Sequence, residues 1–236
     1  MKPAWRQLVA AHRQLERTRW GAILLGNVWP AYLFALPLGA RAWALAQQVR
    51  QVREPSLHEQ ARLLQEAVTI LFLALVVVLF AVRRRAVHGQ RATWRDGAVA
   101  LAGTFLLNLA AYLPIRETAS TTSVIGSALL VVLGTAFTIW SLATLGRCFG
   151  LLPEVRGLVV RGPYEVVRHP VYLGELIASL GILMARPDAL IAAILVAFGL
   201  LQYWRALLEE RVLSAAYPRE YEAYRKRVPR LLPGLR

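Results

Sequence analysis

Apolar runs of about membrane-spanning length occupy most of this chain and limit the folds open to it. A helix needs about 20 predominantly apolar residues to cross about 30 Å of hydrocarbon. Of the 236 residues, 57% are hydrophobic, so little length remains for a separate soluble domain. The sequence therefore predicts an all-α integral membrane protein with about six transmembrane or membrane-embedded helices. The predicted runs are residues 20–40, 67–82, 97–115, 123–145, 171–185 and 189–208.

The polar segments between these runs predict how neighbouring helices are joined. Only Arg186, Pro187 and Asp188 separate the last two runs, which predicts a C-terminal helical hairpin. A short turn at 116–122 joins the third and fourth runs, which we expect to pack as an antiparallel pair. Residues 41–66 carry both Arg and Glu side chains and are predicted to form an interfacial amphipathic helix.

These segments divide one membrane domain into two parts. Residues 1–122 hold an N-terminal amphipathic segment and the first three spans. Residues 123–236 hold the fourth span, a polar loop that follows it, the hairpin and a basic tail. The sequence shows no internal repeat, which disfavours a transporter built from duplicated halves.

Basic residues are concentrated in four regions of the chain. The amino terminus, residues 83–95, residues 146–170 and the tail from Arg205 carry 22 of the 28 Lys and Arg residues. By the positive-inside rule these regions, and both termini, are predicted to be cytoplasmic. The formal charge of +14 predicts contact with anionic lipid headgroups and no nucleic-acid partner. The composition, rich in Ala, Leu and Arg, is typical of bacterial proteins, so the predicted location is a bacterial inner membrane.

Ionisable and aromatic side chains gather at residues 156–175 and at residues 205–230. In the first cluster, a Gly-Pro turn and a His-Pro step predict that Tyr164, His169 and Tyr172 meet at a helix entrance. An anchor at the headgroup level would use the same residue types. Both interpretations remain open at this point.

In the second cluster, Arg205 and Glu209 are four residues apart and share one face of the last predicted helix. A surface ion pair is the simplest interpretation. The helix is otherwise apolar from 189 to 204, however, so the pair must face water, lipid headgroups or a polar cavity.

Four sequence elements within residues 145–233 resemble those of the isoprenylcysteine carboxyl methyltransferases and the related membrane-bound phospholipid methyltransferases. Their order and spacing carry the resemblance. The elements are Gly157-Leu158-Val159 with Gly162-Pro163-Tyr164, the run from Val167 through His169-Pro170-Val171-Tyr172 to Gly174, the pair Glu209-Glu210, and a tail with Tyr217, Tyr221, Tyr224 and Pro229.

The resemblance implies a pocket for the methyl donor S-adenosylmethionine, with S-adenosylhomocysteine as the product and no metal site. A sulfonium and an ammonium group favour a carboxylate and aromatic faces, and the adenosine part needs hydrogen-bond partners. The implied donor-binding residues are Arg156, Gly157, Leu158, Val159, Tyr164, His169, Pro170, Val171, Tyr172 and Glu209.

The resemblance also implies a lipophilic acceptor, a lipid or a small hydrophobic molecule, methylated on a carboxylate, amine or thiol group at the cytoplasmic membrane interface. The implied catalytic residues are Arg205, Glu209 and His169, with Arg205 orienting an acceptor carboxylate or phosphate. A carboxylate acceptor needs no base, whereas an amine or thiol must lose a proton. His169 and Glu210 are the candidate bases.

Three residues depart from the family pattern, namely Arg156, Glu165 and the acid Glu175 just inside a predicted span. These departures bear on acceptor recognition more than on the methyl donor. Two other functions stay open: a small transporter or channel with Arg205, Glu209 and Glu175 along a polar path, and a membrane reductase of related helical architecture.

Overall fold

The structure, a computed structural model, describes residues 27–51, 54–84, 86, 94–109 and 121–234. This part of the chain forms α-helices and two short 3-10 turns, Gly146–Cys148 and Gly162–Glu165, and contains no strand, which confirms the all-α prediction. The N-terminal amphipathic segment and the turn at 116–120 lie outside these residues. The helices are α1 Trp29–Gln51, α2 Leu57–Val82, α3 Trp94–Leu109, α4 Thr121–Leu145, α5 Pro170–Ala185, α6 Ala189–Ala216 and α7 Pro218–Arg227.

The chain is an integral membrane protein of helical class. Three segments in the described residues are long and apolar enough to cross a membrane: Glu59–Val82, Thr122–Cys148 and Ala189–Ala216. Helix α5 is apolar but has only 16 residues. Large apolar side chains such as Leu133 and Leu200 are exposed on the helix surfaces, as expected of faces that meet lipid.

Helices α1 and α2 form an antiparallel hairpin that includes most of residues 41–66, so the separate interfacial helix predicted there is wrong. Ser56 caps α2 in a reciprocal capping box with Glu59. Across the hairpin, Arg41 donates to both carboxylate oxygens of Glu66, at 2.8 and 3.0 Å. The charges that suggested an interfacial helix therefore pair with each other on two longer helices.

Helices α4 and α5 pack at very close range through small residues. A Cβ atom on Gly134 would lie 2.4 Å from the backbone nitrogen of Ala178, and one on Gly174 would lie 2.3 Å from Oγ1 of Thr138. Small residues at facing positions let two helix backbones approach, which is how membrane helices gain packing contact. This packing sets the position of the amino-terminal end of α5, where the predicted site begins.

Helix α3 packs mainly against α6 rather than against α4, so the antiparallel pair expected from the third and fourth runs is wrong. A Cβ atom on Gly103 would lie 2.6 Å from Cδ of Arg205 and 3.1 Å from Oε1 of Gln202. The absent side chain of Gly103 leaves room for those two polar groups. The predicted hairpin of the last two runs is confirmed as α5 and α6.

We predict opposite effects of alanine at two helical glycines. Gly134→Ala would overpack the α4–α5 contact and lower the free energy of unfolding by about 1–3 kcal/mol. Gly39→Ala, where a Cβ atom meets nothing within 4 Å, would leave stability unchanged or raise it by up to about 1 kcal/mol, because alanine is the better helix former. Thermal unfolding in detergent, followed by circular dichroism, measures both. Equal shifts for the two variants would contradict this account of the packing.

Candidate functional site

A cavity lies where the amino-terminal end of α5 meets the carboxyl-terminal part of α6. It encloses about 940 Å³ of empty space when its open mouth is counted. Almost every site residue predicted from the sequence lines it, although those residues are spread over more than 50 positions of the chain. The predicted residues in its wall are Gly157, Leu158, Val159, Tyr164, His169, Pro170, Val171, Tyr172, Arg205 and Glu209.

Glu209 is held in the cavity wall by two aromatic side chains at the start of α5. The hydroxyl of Tyr172 donates to Oε1 of Glu209, and Nδ1 of His169 lies 3.6 Å from Oε2. His169 is the N-cap residue and Pro170 opens the helix, so His169 and Tyr172 lie three residues apart on one face. Their rings stack with centroids 5.5 Å apart and an angle of 4°.

The imidazole of His169 is buried between two carboxylates. Its Nε2 lies 3.2 Å from Oε1 of Glu210, opposite the contact with Glu209. Burial alone lowers the pKa of a histidine, but the hydrogen bonds and charges of the two glutamates outweigh burial and raise the pKa of His169 above its ordinary value. The arrangement therefore favours the protonated ring.

Glu210 faces away from the cavity and collects three cationic side chains. Arg230 donates to its two oxygens at 2.9 and 3.0 Å, and Nη2 of Arg168 lies 3.2 Å from Oε1. The third is His169. Glu210 does not line the cavity, so the structure sets this candidate base apart from the space in which a substrate would lie.

The chain after α7 returns to the His-Pro turn and fixes its backbone. The amides of Arg168 and His169 donate to the carbonyls of Pro229 and Arg230, at 2.9 and 3.1 Å. The sequence predicts that this tail lies on the same side of the membrane as the turn, but it does not predict that the tail is part of the site's frame. No local pattern announces such a pairing between segments about 60 residues apart.

Tyr164 forms another part of the cavity wall and is also held by the tail. The hydroxyl of Tyr224 donates to the carbonyl of Tyr164 at 2.6 Å. Burial, with the nearby charge of Glu209, raises the pKa of Tyr164 well above its ordinary value. The phenol therefore stays neutral and presents an aromatic face and a hydroxyl to the cavity.

The loop that begins at Arg156 contributes backbone rather than a charged side chain. The Arg156 guanidinium turns away from the cavity to Glu154, at 2.5 Å, and to the carbonyl of Arg84, at 3.1 Å. Gly157 has a φ of 154°, and a Cβ atom there would lie 2.6 Å from Sγ of Cys148. Glycine is thus required for the backbone to pass the cysteine and reach the cavity.

A chain of polar groups leads from Arg205 deeper between the helices. Nη1 of Arg205 donates to Oε1 of Gln202 at 2.9 Å, and Nε2 of Gln202 donates to Glu175. The guanidinium carbon of Arg205 lies 4.7 Å from the centre of the Tyr172 ring. Gln202 is not among the residues predicted from the sequence, although a glutamine three residues before Arg205 in an apolar helix is a usable signal.

The first half of the chain supplies an apolar wall of the same cavity. Its side chains come from α1, α2 and α3, and they face the polar wall built by α5 and α6. Nothing in the sequence distinguished them, because any apolar residue of a spanning helix satisfies the membrane equally well. They are Phe34, Phe72 and Val76, with Thr104 of α3 beside them, whose hydroxyl donates to the carbonyl of Ala100 in its own helix.

The fold and the cavity together define a class: a helical membrane protein with a site that is polar on one side and apolar on the other. Residues 122–220 match the sequence model of the phospholipid methyltransferase family. The matched region contains the polar wall of the cavity except for Tyr221 and Tyr224. The resemblance seen in the sequence motifs is therefore confirmed.

Three curated relatives are similar to the same chain. Protein-S-isoprenylcysteine O-methyltransferase B of Arabidopsis thaliana is 32% identical over 111 residues, covering 44% of this chain and 56% of the relative. The cobalt-zinc-cadmium resistance protein CzcN of Cupriavidus metallidurans is 36% identical over 100 residues. The nickel-cobalt-cadmium resistance protein NccN of Alcaligenes xylosoxydans xylosoxydans is 33% identical over 100 residues. Each of these two matches covers 40% of this chain and 46% of the relative. The matches span about half the length of these relatives.

We predict that Glu210→Gln lowers the pKa of His169, because it removes one of the two charges that favour the imidazolium. A group whose pKa is raised on folding stabilises the protein at acidic pH, and that contribution is lost as the pH rises through the folded-state pKa. The variant should therefore lose stability mainly below that pKa. Histidine-selective NMR titration in detergent measures the shift. Glu222→Gln, on the exposed face of α7, is the control, and an unchanged His169 titration in Glu210→Gln would contradict the assignment.

Proposed function

We propose that this protein is a methyltransferase that moves a methyl group from S-adenosylmethionine to a lipophilic acceptor at the membrane interface. One observation carries the proposal. Glu209, Tyr172, His169 and Tyr164 line a single cavity, within the region that matches the phospholipid methyltransferase family. The acceptor would be a lipid or another hydrophobic molecule with a carboxylate, amine or thiol group, and S-adenosylhomocysteine would be released.

The polar wall fits the donor's chemistry. The donor supplies an activated methyl group on a positively charged sulfur. Glu209 offers a carboxylate to its cationic groups, and the rings of Tyr164 and Tyr172 offer aromatic faces. The backbone from Gly157 to Val159 offers amide and carbonyl groups to the adenosine part. His169, positioned by Glu210 and the tail, keeps Glu209 in place.

The remaining wall fits an acceptor with a polar end and an apolar body. Arg205 lines the cavity, and its Nε has no hydrogen-bond partner among the described residues. A buried donor without a partner is costly, so a hydrogen-bond-accepting atom at the acceptor's polar end would satisfy it. The apolar body would pack against Phe34, Phe72 and Val76. In this proposal residues 1–122 serve mainly the acceptor, and residues 123–236 serve mainly the donor.

In-line methyl transfer asks the protein to align three atoms and exclude water, with no covalent intermediate. Arg205 and Glu209 lie one turn apart on α6, so one helix face would orient acceptor and donor together. The concentration of Lys and Arg in four regions supports a cytoplasmic site with cytoplasmic termini in a bacterial inner membrane. A water-soluble donor would then enter from the cytoplasm and the acceptor from the lipid.

The donor half of the proposal is tested by titrating the detergent-solubilised protein with S-adenosylhomocysteine in a calorimeter. We expect saturable binding. Glu209→Gln should weaken it about ten- to a hundredfold, as expected when a partly buried charged hydrogen bond is lost, and His169→Ala should weaken it as well. Glu165→Gln, on the exposed face of the Gly162–Glu165 turn, should bind as the unsubstituted protein does. Absence of binding by the folded protein would refute the proposed function.

The acceptor half is tested with Arg205→Ala. Donor binding should stay within about threefold, because the Arg205 side chain donates its hydrogen bond to Gln202 and contacts the predicted donor residue Tyr172 only through the face of its ring. Transfer of labelled methyl groups into the lipid extract of membranes that carry the protein should fall at least about tenfold. A loss of donor affinity equal to that of Glu209→Gln would show that Arg205 belongs to the donor site instead.

A further inference from the structure

We propose that Glu175 is the proton acceptor of the reaction, and that the methyl acceptor presents a nucleophile that carries a proton: a thiol, an amine or a hydroxyl group. This inference rests on the proposed methyl transfer and revises its substrate class: it excludes a carboxylate and adds a hydroxyl group. It concerns a residue that departs from the family pattern and that the proposed donor site does not use.

The position of Glu175 suits that role. It lies three residues after Tyr172 on α5 and lines the cavity on the side where Arg205 and Gln202 also lie. Its Oε2 accepts a hydrogen bond from Gln202. Its Oε1 has no hydrogen bond to any described part of the chain, so one lone-pair face stays open to a group inside the cavity.

The other candidate bases are engaged. Glu210 lies outside the cavity wall and binds three cations. His169 has a carboxylate at each ring nitrogen, and these two carboxylates raise its pKa and so favour the protonated ring. Glu209 accepts from Tyr172 and lies beside that imidazolium. Among the described carboxylates of the cavity wall, Glu175 is the one with an oxygen, Oε1, that is not engaged by another side chain.

The surroundings of Glu175 point the same way. The charged and titratable groups that face Glu175 are Arg205 and Glu209 of α6 and Tyr172 of its own helix. A carboxylate acceptor is nucleophilic without losing a proton, and beside Glu175 it would meet a like charge at close range. A thiol, amine or alcohol must lose a proton, and Glu175 would accept it.

The step then balances in atoms and charge. The bond from carbon to sulfur breaks and its electron pair stays on sulfur, while the nucleophile's lone pair forms the new bond to carbon. Glu175 accepts the proton that the nucleophile loses. The positive charge on sulfur and the negative charge on Glu175 disappear together, so the apolar surroundings hold no new charge afterwards. The proton returns to water from Glu175 when the products leave.

The test uses four acceptor probes with one twelve-carbon chain: dodecane-1-thiol, dodecylamine, dodecan-1-ol and dodecanoic acid. Each is supplied in detergent with methyl-labelled S-adenosylmethionine to the unsubstituted protein, to Glu175→Gln and to the control Glu222→Gln, which lies outside the site on α7. We expect methylation of the thiol or the amine and none of the acid. Glu175→Gln should lower the rate about a hundredfold or more, in the range for loss of a general base, while S-adenosylhomocysteine binding stays unchanged.

A pH profile separates a proton acceptor from a merely structural residue. With dodecane-1-thiol, the Glu175→Gln rate should recover at alkaline pH, where the thiol ionises without help, whereas a misfolded variant would not recover. Methylation of dodecanoic acid alone, full activity of Glu175→Gln at neutral pH, or no methylation of the thiol, amine and alcohol probes by a protein that binds S-adenosylhomocysteine would each overturn the inference. Failure of S-adenosylhomocysteine binding would instead overturn the proposed function itself.

Discussion

The buried contact of His169 with two neighbouring carboxylates supports the rest of the site. Glu209 and Glu210 are adjacent on α6 but point to different sides, one into the cavity and one towards the tail. The imidazole between them ties the start of α5 to the end of α6. Charges near hydrocarbon are costly unless they are paired, so loss of this contact would also leave neighbouring charged side chains without a partner. The contact therefore fixes the distance between the two helices.

Polar groups are arranged around that contact in two layers. The inner layer, Glu209 with its aromatic neighbours, faces the cavity and suits a cationic ligand. The outer layer, Glu210 with Arg168 and Arg230, faces the tail and holds the His-Pro turn from behind. The tail therefore belongs to the site although little of it touches the cavity, and the small-residue packing of α4 against α5 holds the turn from the other side.

Much of the site could be anticipated from local sequence. The His-Pro step, the tyrosine three residues later and the arginine and glutamate one turn apart each have a spacing that local geometry converts into a shared face. Local sequence could not predict the roles of Gln202, Arg230 and the apolar wall. Their roles depend on contacts with residues that are distant in the chain. For residues 41–66 the local pattern led to a wrong prediction. Their charges suggested a helix at the membrane interface, but Arg41 and Glu66 pair with each other across a helical hairpin.

The sequence by itself determined that this chain is a helical membrane protein, because apolar runs of sufficient length have few other folded states. It also contains the motifs that resemble those of the phospholipid methyltransferase family. Only the tertiary structure decided which helices are neighbours, that α3 lies against α6, and which of two adjacent glutamates enters the cavity. The physical reason is that hydrophobicity and helical period act within a segment, whereas helix pairing depends on the fit of small residues and on the pairing of buried charges between segments far apart in the chain.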